Sequence, residues 1–211
     1  MCSSDLKGWC ETLDRFGSFS LDDVLQPAIR YAERGYSATG YLSEIIHKFA
    51  DDLALFQASA DMWLPGGQPL KAGAKVVQAE YAEILKQLAN TGPELFYGGE
   101  LGALMSDYIT REGGMITLED LREYSTRWVP VVRGTYRGHD IIGPAPPTAG
   151  GVHVIEMLNI LEVCAPVHDL NLTALGPSNP DYWHFLVEAK KLAYSDLQAY
   201  NGDPLFADVP I

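Results

Sequence analysis

The sequence predicts a mixed α/β (α+β) fold that is mostly helical and carries one β-hairpin. Three observations predict it. Apolar residues recur at three- and four-residue spacing along most of the chain, helix-capping residues precede several of these runs, and only residues 129–142 alternate with β-branched side chains around a two-residue turn. With 211 residues, 47% hydrophobic and 20% charged, the chain is long enough to bury a core. That composition excludes a disordered tail, a collagen-like chain and a coiled coil.

The helices follow in order. Ser20 is placed to cap Leu21-Asp22-Asp23-Val24, with acids in the first turn and Phe19 and Val24 spaced as a hydrophobic staple. Val24, Leu25, Ala28, Ile29 and Ala32 continue to Gly35, suited to a left-handed C-cap, while Pro27 is expected to kink or shorten the first turns. A second helix presents Leu42, Ile45, Ile46, Phe49, Leu53 and Phe56 on one face. Asp61 to Gly73, with Pro65, Gly66, Gly67 and Pro69, reads as a loop with an exposed Trp63; it is the best candidate for an internal boundary, but a surface loop within one domain is the preferred reading. A third helix runs from Val76 to Ala89 through Val77, Tyr81, Ile84, Leu85 and Leu88, broken at Gly92-Pro93. After a short turn, Glu94 to Tyr97, a fourth spans Glu100 to Glu112 and stops at Gly113-Gly114. Thr117 repeats the cap pattern for a brief helix to Tyr124.

Val129 to Tyr136 and His139 to Ile142 read as strands joined by Arg137-Gly138. Two strands alone are marginal, so this hairpin is expected to join a larger sheet. Pro144 to Gly151 forms a stiff turn into a helix from Val152 to about Val163. The last helix starts at Asn179-Pro180, a cap followed by proline at the first helical position, and presents Trp183, Leu186, Val187, Tyr194 and Leu197 up to about Asn201-Gly202. The total is six or seven helices and one hairpin.

Fifteen basic residues against 28 acidic give a net charge of −13, which repels phosphate, and no basic stripe carries interleaved aromatics. Nucleic acid and anionic membranes are not expected partners. No apolar run is seen to approach the ~18–20 residues of a bilayer span, and Met1 to Leu6 lacks the basic and apolar regions of an export signal. Three cysteines, Cys2, Cys10 and Cys164, without a CxxC pattern argue against a disulfide framework or zinc site; they read as buried or half-buried thiols, with a Cys10–Cys164 pair left open.

Candidate chemistry is sparse. Gly35-Tyr36-Ser37-Ala38-Thr39 approaches a nucleophile elbow but lacks the closing glycine and follows a helix. Asp22-Asp23, Asp51-Asp52 and Glu119-Asp120 complement helix dipoles rather than form acid–base pairs, since neighbours on a helix point apart. His184 and Glu188 stand four apart without a suitably spaced third metal ligand. Thr148 to Gly151 opens a helix whose free N–H groups can hold an anion, although its prolines serve plain structure equally well. His47, His139, His153 and His168 suggest no constellation. No residue is therefore assigned a catalytic, cofactor-binding or metal-binding role, and no cofactor is expected.

An ordered set of short segments carries more. Leu25-Gln26-Pro27-Ala28-Ile29, Phe96-Tyr97-Gly98-Gly99, Gly113 to Leu121, Tyr136-Arg137-Gly138, Pro146 to Gly151, Leu158 to Glu162, Glu188-Ala189-Lys190, Ala193 to Asp196 and Gly202-Asp203-Pro204 together resemble the large subunit of the gamma-glutamyltranspeptidases. The resemblance runs from about Leu6 to Pro210. Thr148-Ala149 departs from the family's usual Ser-Ser, and Leu197 from its frequent arginine, which bears on subfamily rather than membership.

The resemblance implies the αββα sandwich of N-terminal-nucleophile hydrolases, with this chain as its mostly helical part. Such enzymes cleave their own precursor and expose a threonine at the start of a small subunit. Its freed α-amine, with a pKa near neutrality, serves as base. The threonine attacks a γ-glutamyl carbonyl of glutathione or a related amide, and the acyl group passes to water, an amino acid or a peptide. None of the nine threonines here lies in the family's Thr-His-Phe/Tyr-Ser-like processing run. The nucleophile is expected beyond Ile211 and the substrate-binding arginine ahead of Leu6. Residues 6–211 then form a partial large-subunit region, inactive alone, whose partner is its own small subunit, and residues 1–5 read as a non-native leader. The family resemblance favours a periplasmic or extracellular location. The alternatives are a cephalosporin-acylase-like amidase of the same superfamily and a non-catalytic helical interaction module.

Overall fold

The computed structural model describes residues 3–210. They fall into two compact units divided between Thr126 and Arg127, and the 61–73 segment lies inside the first.

The first unit is helical. It contains α1 (Ser3–Phe16), α2 (Leu21–Arg34), α3 (Gly40–Lys48), α4 (Ala50–Leu53), α5 (Gln57–Trp63), α6 (Ala79–Thr91), α7 (Glu100–Arg111) and α8 (Leu118–Glu123), with 3₁₀ turns at Pro65–Gly67 and Pro93–Leu95. Two short strands, β1 (Tyr36–Ser37) and β2 (Lys75–Val76), pair antiparallel. Sequence patterning assigns nothing ahead of Ser20, yet α1 supplies core residues. Leu6 and Cys10, four apart on one face, pack with Leu88 and Tyr97. The Tyr97 hydroxyl accepts the Lys7 backbone N–H at 3.0 Å, and its ring stacks on Tyr124 at 5.4 Å. The proposed leader is thus helical from Ser3 onward, while Met1 and Cys2 lie outside the described residues.

Both expected capping boxes form. Ser20 and Asp23 exchange hydrogen bonds at the start of α2, as do Thr117 and Asp120 at the start of α8. Both aspartates are held below the ordinary carboxylate range, first by the cap side-chain hydroxyl and then by its backbone N–H. Helix α2 continues through Pro27 because its buried Ile29 and Ala32 dock the helix on α6. The Phe19–Val24 staple does not bury, since both side chains stay exposed. Gly35 ends α2 at φ 76° and ψ 166°, a positive-φ backbone outside the left-handed helical well. A Cβ there would meet the Val76 carbonyl.

Other expectations shift. The single helix expected over 42–56 is divided into α3 and α4, with residues 54–56 outside both, and only Ile46 of its apolar face is fully buried. Trp63 ends α5 half-buried instead of lying in a loop. Val76 belongs to β2, so α6 starts at Ala79 and buries Ala82, Leu85 and Leu88, leaving Val77 and Tyr81 exposed. Cys10 is a buried free thiol, raised by that burial and then by Asp14, and Cys164 is a half-buried free thiol.

The second unit holds β3 (Val132–Tyr136), β4 (His139–Gly143), α9 (Gly150–Val167), α10 (Leu172–Leu175) and α11 (Pro180–Tyr200). The hairpin register runs from Val132 opposite Gly143 to Tyr136 opposite His139, and the predicted turn forms with Arg137 at φ 49° and Gly138 at φ 78°. Among the described residues it has no further strand beside it. Helix α9 lies on the hairpin, and α11 packs on α9. Their core is Leu161, Ala165, Leu172 and Ala189.

Two close approaches set the α9 position. The Ile155 side chain occupies the space a Cβ on Gly134 would need, and Gly151 abuts the backbone of Gly143 and Pro144. Asn179 caps α11 with Pro180 at its first position, as expected. The inward face of α11 is centred on Ala189 and Ala193, whereas the expected Trp183, Val187 and Tyr194 are exposed. Small residues let the helices approach, so the large ones face out. Helix α9 runs four residues past its expected end. Its 18 residues, mean hydropathy 1.3, are long and apolar enough to cross a membrane by length and composition alone, which corrects the expectation that no such run exists.

Gly151→Ala forces its methyl into the Pro144 carbonyl and lowers stability by about 1–3 kcal/mol. Gly150→Ala, with open space around its Cβ, changes stability by less than about 1 kcal/mol in either direction. Urea denaturation of the two variants checks the contrast.

Candidate functional site

The residues that approach a chemical constellation lie in the second unit. Between α9, α11 and the start of β3 there is a cavity of about 660 Å³, within the range of small-molecule sites. Val152, Ile155 and Leu197 form apolar walls, and His153, Glu156, Asp196 and Asn201 supply polar groups. Helical geometry explains their convergence. His153 and Glu156 stand one turn apart on α9, Asp196 lies near the end of α11, and Asn201 caps it.

The Glu156 carboxyl on α9 and the Asp196 carboxyl on α11 line the same cavity and interact across the two helices. Burial first, and then Asp196, raises Glu156 above its ordinary range. Asn201 donates from Nδ2 to the Pro147 carbonyl at 3.3 Å, while its Oδ1 is buried without a partner. The Nδ1 of His153 is likewise buried and unpartnered, and its ring meets Tyr194 edge-on at 5.9 Å.

The motifs singled out from sequence fare differently. Ser37 sits exposed in β1, after α2, so no nucleophile elbow forms. Glu188 pairs with Lys191 at 2.9 Å, and its carboxyl is held low by that lysine first. No group of three metal-ligating side chains occurs among the described residues. Helix α9 has no side-chain cap, and Gly151 at its start answers to the close approach of Gly143 and Pro144. Within the resemblance motifs, Glu162 accepts the Arg137 backbone N–H at 2.5 Å, so Tyr136-Arg137-Gly138 and Leu158 to Glu162 are two halves of one tie. Sequence reasoning did not bring His153, Glu156, Asp196 and Asn201 together. The available signal was the one-turn spacing of His153 and Glu156 on an otherwise apolar helix.

The fold is that of N-terminal-nucleophile hydrolases, and this chain is its mostly helical part. Its structure superimposes on the Helicobacter pylori gamma-glutamyltranspeptidase with a TM-score of 0.88 at 32% identity, covering 97% of this chain and 57% of that one. The family model described as Gamma-glutamyltranspeptidase matches residues 3–211, and the chain belongs to that family. It is 48% identical over 206 residues to the Acylase ACY 1 proenzyme of Pseudomonas sp. (strain V22), covering 98% of this chain and 36% of the relative. It is 33% identical to the glutathione hydrolase proenzyme of Escherichia coli (strain K12), covering 96% of this chain and 34% of that relative. The chain therefore spans about a third of the length of these curated relatives.

The raised Glu156 fixes a pH dependence. A carboxyl whose folded pKa exceeds its unfolded value near 4.5 binds more protons in the folded state, so its stabilising contribution is full below that value and is lost as pH rises through the folded one. Glu156→Gln flattens the decline in stability above pH 4.5, read from melting temperatures between pH 4 and 8.

Proposed function

We propose that this chain is the scaffold part of an amide-cleaving acyltransferase, and that the nucleophilic threonine, the substrate-binding arginine and the small subunit belong to polypeptide outside residues 6–211. The relatives' names support a precursor that matures by cleavage, since both are called proenzymes. An α-amine freed by cleavage provides the base that a threonine hydroxyl needs. Family membership favours this reading over a non-catalytic interaction module.

The substrate reading rests on one contrast. Identity to the acylase proenzyme is 48%, against 33% to the glutathione hydrolase proenzyme, over nearly the same residues. The acylase alternative therefore takes first place, with a side-chain amide of the cephalosporin type as substrate class. Transfer of a γ-glutamyl group from glutathione or a related amide is the second reading, supported by the family and by the H. pylori likeness.

The 211-residue chain releases no product from either a cephalosporin side-chain amide or a γ-glutamyl anilide. A longer polypeptide carrying both flanks turns over the cephalosporin amide with at least about tenfold higher kcat/KM than the anilide, equivalent to about 1.4 kcal/mol of transition-state discrimination. Turnover by the 211-residue chain overturns the placement of the chemistry outside it. A tenfold preference for the anilide reverses the substrate order.

A further inference from the structure

Among the described residues, the buried side-chain polar atoms that lack a partner are His153 Nδ1 and Asn201 Oδ1, and both residues line the same α9–α11 cavity. Buried polar groups in folded proteins are nearly always satisfied, so two such atoms in one cavity point to an occupant that supplies hydrogen bonds. Asn201 is oriented by its bond to Pro147, so the group left for a ligand is an oxygen acceptor. The Glu156 and Asp196 carboxyls line the same cavity and add further acceptors and carboxylate charge. Among the described residues neither carboxylate has an ion-pair partner.

The required occupant is therefore cationic and rich in donors. A metal ion does not fit, because no group of three ligating side chains occurs there. The opposite wall is apolar, with Val131, Val152, Ile155 and Leu197. Acceptors at one end and hydrocarbon along the side suit an ammonium group on a short alkyl chain.

We propose that the cavity between α9, α11 and β3 binds a protonated primary amine, with Glu156, Asp196 and Asn201 accepting its N–H groups and the aliphatic wall receiving its chain. The site is separate from the acyl-transfer reading and does not rest on it. Binding favours the ionised form of Glu156, whose carboxyl is held above its ordinary range by burial and then by Asp196, so affinity rises with pH until the amine itself loses its proton near pH 10. Arg133 on β3 and Tyr200 on α11 also line the cavity. His153 on α9 faces the same cavity.

The test uses n-hexylammonium, with 1-hexanol as a neutral control of similar shape, on the 211-residue chain by isothermal titration calorimetry and amide NMR shifts. At pH 8 the ammonium binds at least about tenfold more tightly than the alcohol, as charge-assisted hydrogen bonds require. That advantage falls about tenfold at pH 5, and likewise in Glu156→Gln and in Asp196→Asn. Circular dichroism establishes that each variant is folded, and either one suffices if the other is not. Equal binding of amine and alcohol marks a merely apolar cleft and overturns the proposal. So does unchanged amine affinity in the folded variants, or millimolar amine that leaves the α9 amide shifts unmoved, as a water-filled cavity would.

Discussion

How closely α9 can lie on the hairpin governs the second unit. Ile155 can reach the strand because position 134 carries no side chain, and the helix can start where it does because Gly143 and Gly151 let two backbones touch. Steric exclusion of this kind is unforgiving, since backbone atoms cannot swing aside as the end of a long side chain can. With the axis and rotation of α9 set by these points, His153 and Glu156 are carried toward α11. Small residues at 189 and 193 then bring that helix near enough for Asp196 to reach Glu156. The polar cavity is thus a by-product of glycine and alanine placement at the contacts that set the helix positions.

Local chemistry was legible wherever it was self-contained. The Ser20 and Thr117 capping boxes, the Asn179-Pro180 start and the Arg137-Gly138 turn each involve residues within a few positions of one another, and each forms as read. Periodicity misled where several registers compete. In α11, Trp183, Val187 and Tyr194 offer more apolar surface than alanine, yet close packing selected the alanine face. Helix α1 was invisible because Gly8 and a scatter of charges dilute a short signal that tertiary contacts with Leu88 and Tyr97 make decisive. The Glu156–Asp196 pair could not be read at all, because it joins positions forty apart that only the α9–α11 packing brings together. The family landmarks were legible as an ordered set, while their physical meaning as contact points emerged only in three dimensions.

The outer surfaces fit the short span of this chain relative to its relatives. Only 17% of α9 is buried even though its mean hydropathy is 1.3. Val163 and Val167 on α9, and Trp183, Val187 and Leu192 on α11, are all exposed. A helix apolar on most of its circumference belongs in an interior, with neighbours on more sides than one hairpin and one helix provide. Relatives nearly three times as long have the material for such neighbours.

At the hairpin tip, Arg137 occupies a backbone conformation that asparagine or glycine adopts at less cost. The arginine offsets that cost through its side chain, which reaches the Thr173 hydroxyl at 2.9 Å and lies over the Tyr136 ring at 5.2 Å. A redesign guided by turn statistics alone would install asparagine, relax one residue, and unfasten the strand end from the segment beyond α9. The residue best suited to the bend is thus a poor choice for the clasp, and the chain carries the clasp.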